Sequence, residues 1–297
     1  MRIVSFRETD GIHVGVVAAD GSQDVIDVTV STPALPRDLA AILAVGALDQ
    51  VREAAGRPGT ARRALAELTL TGPVPRPPKF LAIGLNYADH RAESRTIVAI
   101  EPTQHQLWFN KQSTCVIGHG QPIHVPRASS IVDYEGELAF VIGRRCRHVP
   151  ADRAREVIAG YTVVNDVSVR DWQRNTPTMT MGKSFDTHGP TGPWLVTADE
   201  VPDPHALHLR TWVNGDLRQD ASTSDMIFNC WQMVEHLSTA FTLEPGDVIS
   251  TGTPAGVGIA RQPPALLKAG DTVRIEVEAV GVLENPVIDE PADTVLI

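Results

Sequence analysis

The sequence predicts an α+β, mainly β fold, and three observations carry the expectation. Apolar runs at 137–142, 160–165, 207–213, 247–251 and 272–280 are short and bounded by Gly, Pro and Asp, the signature of strands. Residues 272–278 (TVRIEVE) alternate apolar and polar with period two, as an antiparallel strand with one solvated face does. In this part of the chain helical patterning interrupts the strands twice, at 151–159 and at about 225–241, with Thr223 or Ser224 as the candidate N-cap of the second.

Earlier in the chain, residues 1–72 read as a small N-terminal α/β domain. Short strands are expected at 3–6, 14–18 and 25–30, and Ala-rich helical stretches at 38–47 and 61–68. Segment 71–79 (TGPVPRPPK) then places four prolines in nine residues, which no helix or central strand tolerates. It marks the passage to a larger domain, 73–297. That domain begins with a buried strand (FLAIG) running into LNYADHRAE.

With 297 residues and 42% hydrophobic content, the chain has material for one large core or for a large and a small one. A net charge of −10 and no basic run argue against nucleic acid or an anionic membrane as partner. Cys115, Cys146 and Cys230 are odd in number and scattered, as reduced thiols of a cytoplasmic protein are. The first residues lack the apolar core of a signal peptide, and no run approaches the ~20 residues that span a bilayer. A soluble, cytoplasmic protein is therefore expected.

The chemistry concentrates in segment 132–142 (VDYEGELAFVI). Glu135 and Glu137 are two apart, so on a strand they face the same way. Like charges on an apolar strand call for a cation between them. Asp166 closes a second apolar run, 160–166 (GYTVVND), and supplies a third carboxylate. Three carboxylates with room for water suit a hard cation such as Mg²⁺ or Mn²⁺, with Ca²⁺ as a further candidate. The plain alternative is that Glu137 pairs with Arg144 or Arg145.

Four further groups surround this cluster. His90 and Glu93 are three apart, neighbours on a helical turn, and a carboxylate beside an imidazole raises its basicity for general-base work; an exposed turn is the alternative. After Asp166, Ser168 can cap a short helix that sets Arg170 and Gln173 on one face to grip a substrate oxygen, with a surface Arg170–Asp171 turn as the alternative. Gly182-Lys183-Ser184 lacks the first glycine of a phosphate loop, since position 177 is Pro, so Lys183 reads better as an oxyanion partner than as a nucleotide ligand. Segment 246–258 (GDVISTGTPAGVG), with Thr253, reads as a strand ending in a glycine-rich turn that could line a pocket or be only a tight turn.

Together the strings GLNYADHxxE, DYEGEL, NDVSxRDxQ, GKSFDTHGPxGP and LxPGDxIxTGTPxGVG resemble the fumarylacetoacetate hydrolase family over about residues 78–290, and residues 1–70 more weakly resemble the N-terminal domain of longer bacterial members. The resemblance implies a mixed β-roll catalytic domain, usually in a homodimer. It implies Mg²⁺ or Mn²⁺ on Glu135, Glu137 and Asp166. His90 and Glu93 become a water-activating dyad on a lid covering about residues 88–106, and Lys183 an oxyanion and substrate contact. Arg170, Gln173 and Thr253 fall at substrate-contact positions. Where the enzyme that names the family has a further aspartate ligand, this chain has Asn86, and water or substrate is expected in its place. The implied activity is metal-dependent hydrolysis of a C–C bond in a 1,3-dicarbonyl or acylpyruvate-type keto acid or diketone, through an enolate held by the metal. The alternatives are decarboxylation or enol–keto isomerisation of 2-oxo acids, and a non-catalytic metal-binding protein.

Overall fold

A computed structural model describes residues 1–94 and 104–294. Nineteen strands occur among them. The first five are β1 (Arg2–Glu8), β2 (Gly11–Val17), β3 (Asp24–Asp27), β4 (Arg62–Ala64) and β5 (Thr69–Leu70). Then follow β6 (Phe80–Gly84), β7 (Leu107–Lys111), β8 (Val116–Ile117), β9 (Ile123–Val125) and β10 (Val132–Asp133). The middle of the chain forms β11 (Gly136–Ile142), β12 (Ile158–Asn165), β13 (Ser168–Val169) and β14 (Gly189–Thr197). The last are β15 (His208–Val213), β16 (Asp216–Ser222), β17 (Val248–Ser250), β18 (Thr272–Val277) and β19 (Gly281–Asp289).

The largest sheet runs β4-β3-β2-β1-β14-β12-β11-β17-β6-β7, with β5 beside β1 and β8 beside β14. It is mixed: β11 is antiparallel to β12 and β17, whereas β17 is parallel to β6. A second sheet, β16-β15-β18-β19-β9, packs against it, and β10 pairs with β13 as a two-stranded ladder. The fold is thus α+β and mainly β.

Strand β11 is buried at all seven positions. Its Leu138, Phe140 and Ile142 join Tyr161, Leu209, Ile275 and Leu237 in one core. Ala139 and Val141, on the other face, join Ile3, Leu39, Ile42 and Val51 from the N-terminal segment in a second core. This explains why 137–142 reads as a continuous apolar run: both faces are covered. Strand β18 has the alternating burial that its period-two pattern predicts. The N-terminal strands extend the same sheet, because Arg2 and Ile3 of β1 pair with Val196 and Leu195 of β14.

Several expected elements differ. The helix expected at 61–68 is strand β4 followed by a 3₁₀ turn, Leu65–Glu67, because the chain pairs back onto β3. The strand expected at 25–30 stops at Asp27, whose carboxylate accepts from Val30 N and starts helix α1 (Val28–Ser31). The expected 38–47 helix is shorter, α2 (Leu39–Ala44), and is followed by α3 (Leu48–Gly56). Residues 151–157 form a 3₁₀ stretch and Ile158 already belongs to β12.

Candidate active site

Helix α4 (Ala88–Ser94) follows the buried strand β6 and carries His90 and Glu93. The His90 Nδ1 lies 3.1 Å from Glu93 Oε2. Glu93 also accepts from Gly256 N, at 3.1 Å, so the glycine-rich turn holds the carboxylate that orients the imidazole. Gly256 sits at φ +107, and a Cβ there would come within 2.1 Å of the Arg218 carbonyl, so only glycine brings this amide into place. His90 is buried, as the expectation of an exposed turn does not allow. The expected lid spans 88–106, of which 95–103 lie outside the described residues.

The three carboxylates converge. Glu135, Glu137 and Asp166 are buried, and an oxygen from each lies within 4.8 Å of the others. Glu135 sits between β10 and β11, Glu137 is the second residue of β11, and Asp166 follows β12. The ladder between these strands sets Gly136 opposite Asn165, and Asp166 N donates to the Glu135 carbonyl at 2.9 Å. Glu137 is not paired with Arg144 or Arg145. Its Oε2 instead accepts from Ser250 Oγ and from Gly252 N.

Cations close the cluster on two sides. Lys183 Nζ donates to Glu135 Oε2 and to Asp166 Oδ2, both at 2.7 Å. Gly182 makes this possible, since a Cβ there would meet Gln173 N at 2.2 Å. Arg170 is buried, not a surface turn, and its NH1 lies 2.6 Å from Glu135 Oε1. Its Nε and NH2 reach Asp133 Oδ2 at 2.9 and 2.7 Å, and NH1 also donates to Gln173 Oε1 at 3.0 Å. Arg170 and Gln173 share helix α5 (Arg170–Arg174). Ser168 does not cap it: it belongs to β13, and its hydroxyl donates to the Asp166 carbonyl. The Thr253 hydroxyl donates to the Gly136 carbonyl at 3.0 Å and accepts from Gln219 Nε2 at 2.7 Å.

Electrostatics separate the two glutamates. Burial works against a charged Glu135, but the Lys183 and Arg170 charges outweigh it and hold its carboxyl below the usual range. Burial, with Asp166 and Glu135 alongside, pushes Glu137 well above the usual range. Burial opposes the Lys183 charge, yet Asp166 and Glu135 raise its affinity for the proton. The buried group holds four carboxylates, counting Asp133, against the three cations Lys111, Arg170 and Lys183. An all-oxygen donor set with excess negative charge, centred on an acid that lacks a cationic partner among the described residues, fits a hard divalent cation.

Two members escape a reading of the sequence. Asp133 is fully buried and receives Arg170 together with the amides of Gly258 and Ile259, at 2.7 and 3.0 Å. Lys111, at the end of β7, donates to Asp166 Oδ1 at 2.7 Å and to the Lys183 carbonyl. The alternation of Phe109 and Lys111 was the available signal: both are buried, and Lys183 Nζ sits 4.9 Å from the Phe109 ring centre. Asn86, in whose place water or substrate is expected as the further ligand, is saturated. Its Nδ2 donates to the carbonyls of Phe228 and Thr251, and its Oδ1 accepts from Phe228 N. The same contacts hold 227–228 out of a helix, so α6 (Cys230–Ala240) starts late, capped by Asn229 and not by Thr223 or Ser224.

A mainly β fold of mixed sheets thus carries a buried acidic cluster that fits a divalent metal, and comparison with known proteins places the chain. Residues 79–288 match the fumarylacetoacetate (FAA) hydrolase C-terminal family, and the chain belongs to that family. The mitochondrial oxaloacetate tautomerase fahd2 of Xenopus laevis is 40% identical over 301 residues, covering 97% of this chain and 90% of its own. The maleylpyruvate hydrolase of Sphingobium sp. SYK-6, solved with manganese(II) and pyruvate, is 33% identical at a TM-score of 0.81, covering 98% of this chain and 100% of its own. The 5-carboxymethyl-2-hydroxymuconate delta-isomerase of Mycobacterium smegmatis is 37% identical at a TM-score of 0.77, with 98% and 100% covered. Tautomerase, hydrolase and isomerase thus all occur among proteins similar to this one. Among the described residues no helix is long and apolar enough to cross a membrane.

Proposed function

We propose that this chain is a divalent-metal-dependent enzyme that interconverts the enol and keto forms of a small 2-oxo dicarboxylic acid such as oxaloacetate. The observation that carries this reading is the juxtaposition of three buried carboxylates with two buried cations, beside a hydrogen-bonded His–Glu pair. Glu135, Glu137 and Asp166 would hold Mg²⁺ or Mn²⁺. When bound, such a cation polarises a substrate carbonyl and acidifies the adjoining C–H.

The chain's own residues do the rest. Glu93 accepts from the His90 Nδ1–H, which leaves Nε2 as the basic atom. Towards the keto form, His90 Nε2 takes the enol hydroxyl proton and the resulting imidazolium returns it to carbon, so the neutral ring is restored and no proton is gained or lost overall. Lys183 and Arg170 offset the anionic charge of the substrate and of the developing oxyanion. Gln173, bonded to Arg170, and Thr253, bonded to the Gly136 carbonyl between Glu135 and Glu137, adjoin the site as candidate substrate contacts. The substrate class draws support from the oxaloacetate tautomerases to which nearly the whole chain is similar.

Hydrolysis of a C–C bond is the second reading, supported by the likeness to maleylpyruvate hydrolase. There His90 would take its proton from water. A homodimer belongs to the same proposal and is checked by light scattering. The deciding experiment follows oxaloacetate by ultraviolet absorbance, and acylpyruvates and oxaloacetate by NMR of the products, with Mn²⁺ or EDTA. Faster enol decay without new carboxylic acid products supports the tautomerase. Chain-cleaved acylpyruvate products support the hydrolase, and pyruvate in excess of the spontaneous rate supports the decarboxylase. No metal-dependent conversion of any of them removes the proposal.

A further inference from the structure

Asp166 is shared by two ammonium groups. Its Oδ2 faces Lys183 Nζ and its Oδ1 faces Lys111 Nζ, each at 2.7 Å, and no part of the Asp166 or Lys111 side chain is exposed. The two lysines are not equivalent. Lys183 also touches Glu135 and lies on the cluster's inner side, between two of the three carboxylates. Lys111 lies behind Asp166. Besides Asp166 it binds the main-chain carbonyl of Lys183, so one ammonium holds both a candidate metal ligand and the backbone of the neighbouring cation. Phe109, two residues earlier on β7, supports the Lys183 head group from the same strand.

We infer that Lys111 is a positioning residue: it fixes the carboxylate plane of Asp166 through Oδ1, so that Oδ2 is presented to the metal, and it anchors Lys183 so that its ammonium can leave Asp166 for the substrate. The inference rests on the metal site proposed above. When a cation draws on Oδ2, Lys183 loses part of its hold there. A carboxylate held by Lys183 alone would then be free to rotate, whereas Lys111 keeps it in place.

The alternative is that Lys111 only offsets charge, and the two roles predict opposite signs. Removing a cation that merely offsets charge leaves the cluster more negative and tightens Mn²⁺ binding. Removing a positioning residue frees Asp166 and weakens it. The test measures Mn²⁺ binding by electron paramagnetic resonance, without substrate, and then kcat and KM for oxaloacetate. Lys111→Met should weaken Mn²⁺ binding by about 10–100-fold, the usual effect of losing an outer partner of a metal ligand. It should lower kcat more than it changes KM. Lys111→Arg, which keeps the charge and two donors, should recover part of both losses. If Lys111→Met does not fold, Lys111→Gln, with a neutral donor, is read the same way. Unchanged or tighter Mn²⁺ binding in a folded Lys111→Met or Lys111→Gln protein overturns the inference. So does a wild-type protein that binds no Mn²⁺. A wild-type protein that binds Mn²⁺ but leaves oxaloacetate untouched overturns the proposed reaction instead, and the binding comparison still decides the role of Lys111.

Discussion

Arg170→Met should destabilise the protein in the absence of both metal and substrate. Arg170 is the partner of two buried acids, Asp133 through Nε and NH2 and Glu135 through NH1. Breaking a buried ion pair by removing one partner costs about 3–5 kcal/mol, since the remaining charge stays buried. Here compensation places the cost at the low end. Asp133 keeps the amides of Gly258 and Ile259, and Glu135 keeps Lys183 at 2.7 Å. About 3 kcal/mol in a chain of this size lowers Tm by roughly 6 °C, at about 2 °C per kcal/mol. Differential scanning calorimetry in EDTA measures it. A group that only contacts substrate would leave Tm unchanged without ligand. A shift within the scatter of replicate scans would therefore refute the structural role assigned to the Asp133–Arg170–Glu135 chain.

Three more outcomes are expected. Substituting His90 by Ala should leave Mn²⁺ binding intact while kcat drops about 10²–10⁴-fold; loss of the metal would show that His90 is a ligand instead. Glu137→Gln removes the acid whose charge is most hindered by burial and by its acidic neighbours, so Mn²⁺ affinity and activity should fall together in a calorimetric titration. His188 gives the pH dependence of stability. Burial depresses its pKa from the ordinary 6.5 to about 3, although its ring bonds to the His124 carbonyl. The unfolded chain therefore binds a proton that the folded one refuses, so the stabilisation is present above pH ~6.5 and is lost as pH falls toward 3. Urea midpoints should decline across that window, and His188→Asn should flatten the decline; an unchanged slope would assign the acid sensitivity to other groups.

The parts of the site that could be read from the sequence are those built from local spacing. Glu135 and Glu137 straddle one glycine at the start of a strand, and His90 and Glu93 lie one helical turn apart, so adjacency in sequence became adjacency in space. Lys111 was not legible, because its partner Asp166 is 55 residues away and only the route of β7 along the sheet brings them together. The role of Asp133 is hidden for the same reason: its donors come from Arg170 and from the turn at 258–259. Among the elements, 61–68 has helical composition, yet β3 offers an open edge and the backbone pairs there. The late start of α6 depends on Asn86 reaching across to 227–228, a contact over more than a hundred residues that no local pattern announces.

The central claim is that the buried carboxylates hold a divalent cation that makes this chain an enzyme for a 2-oxo acid. It is tested most directly by following the decay of enol-oxaloacetate with wild-type protein and Glu137→Gln, each with Mn²⁺ and with EDTA. The account predicts acceleration over the protein-free Mn²⁺ control by the wild type, its loss in EDTA, and little acceleration by Glu137→Gln in either condition. Acceleration by the wild type that persists in EDTA and in Glu137→Gln would contradict it.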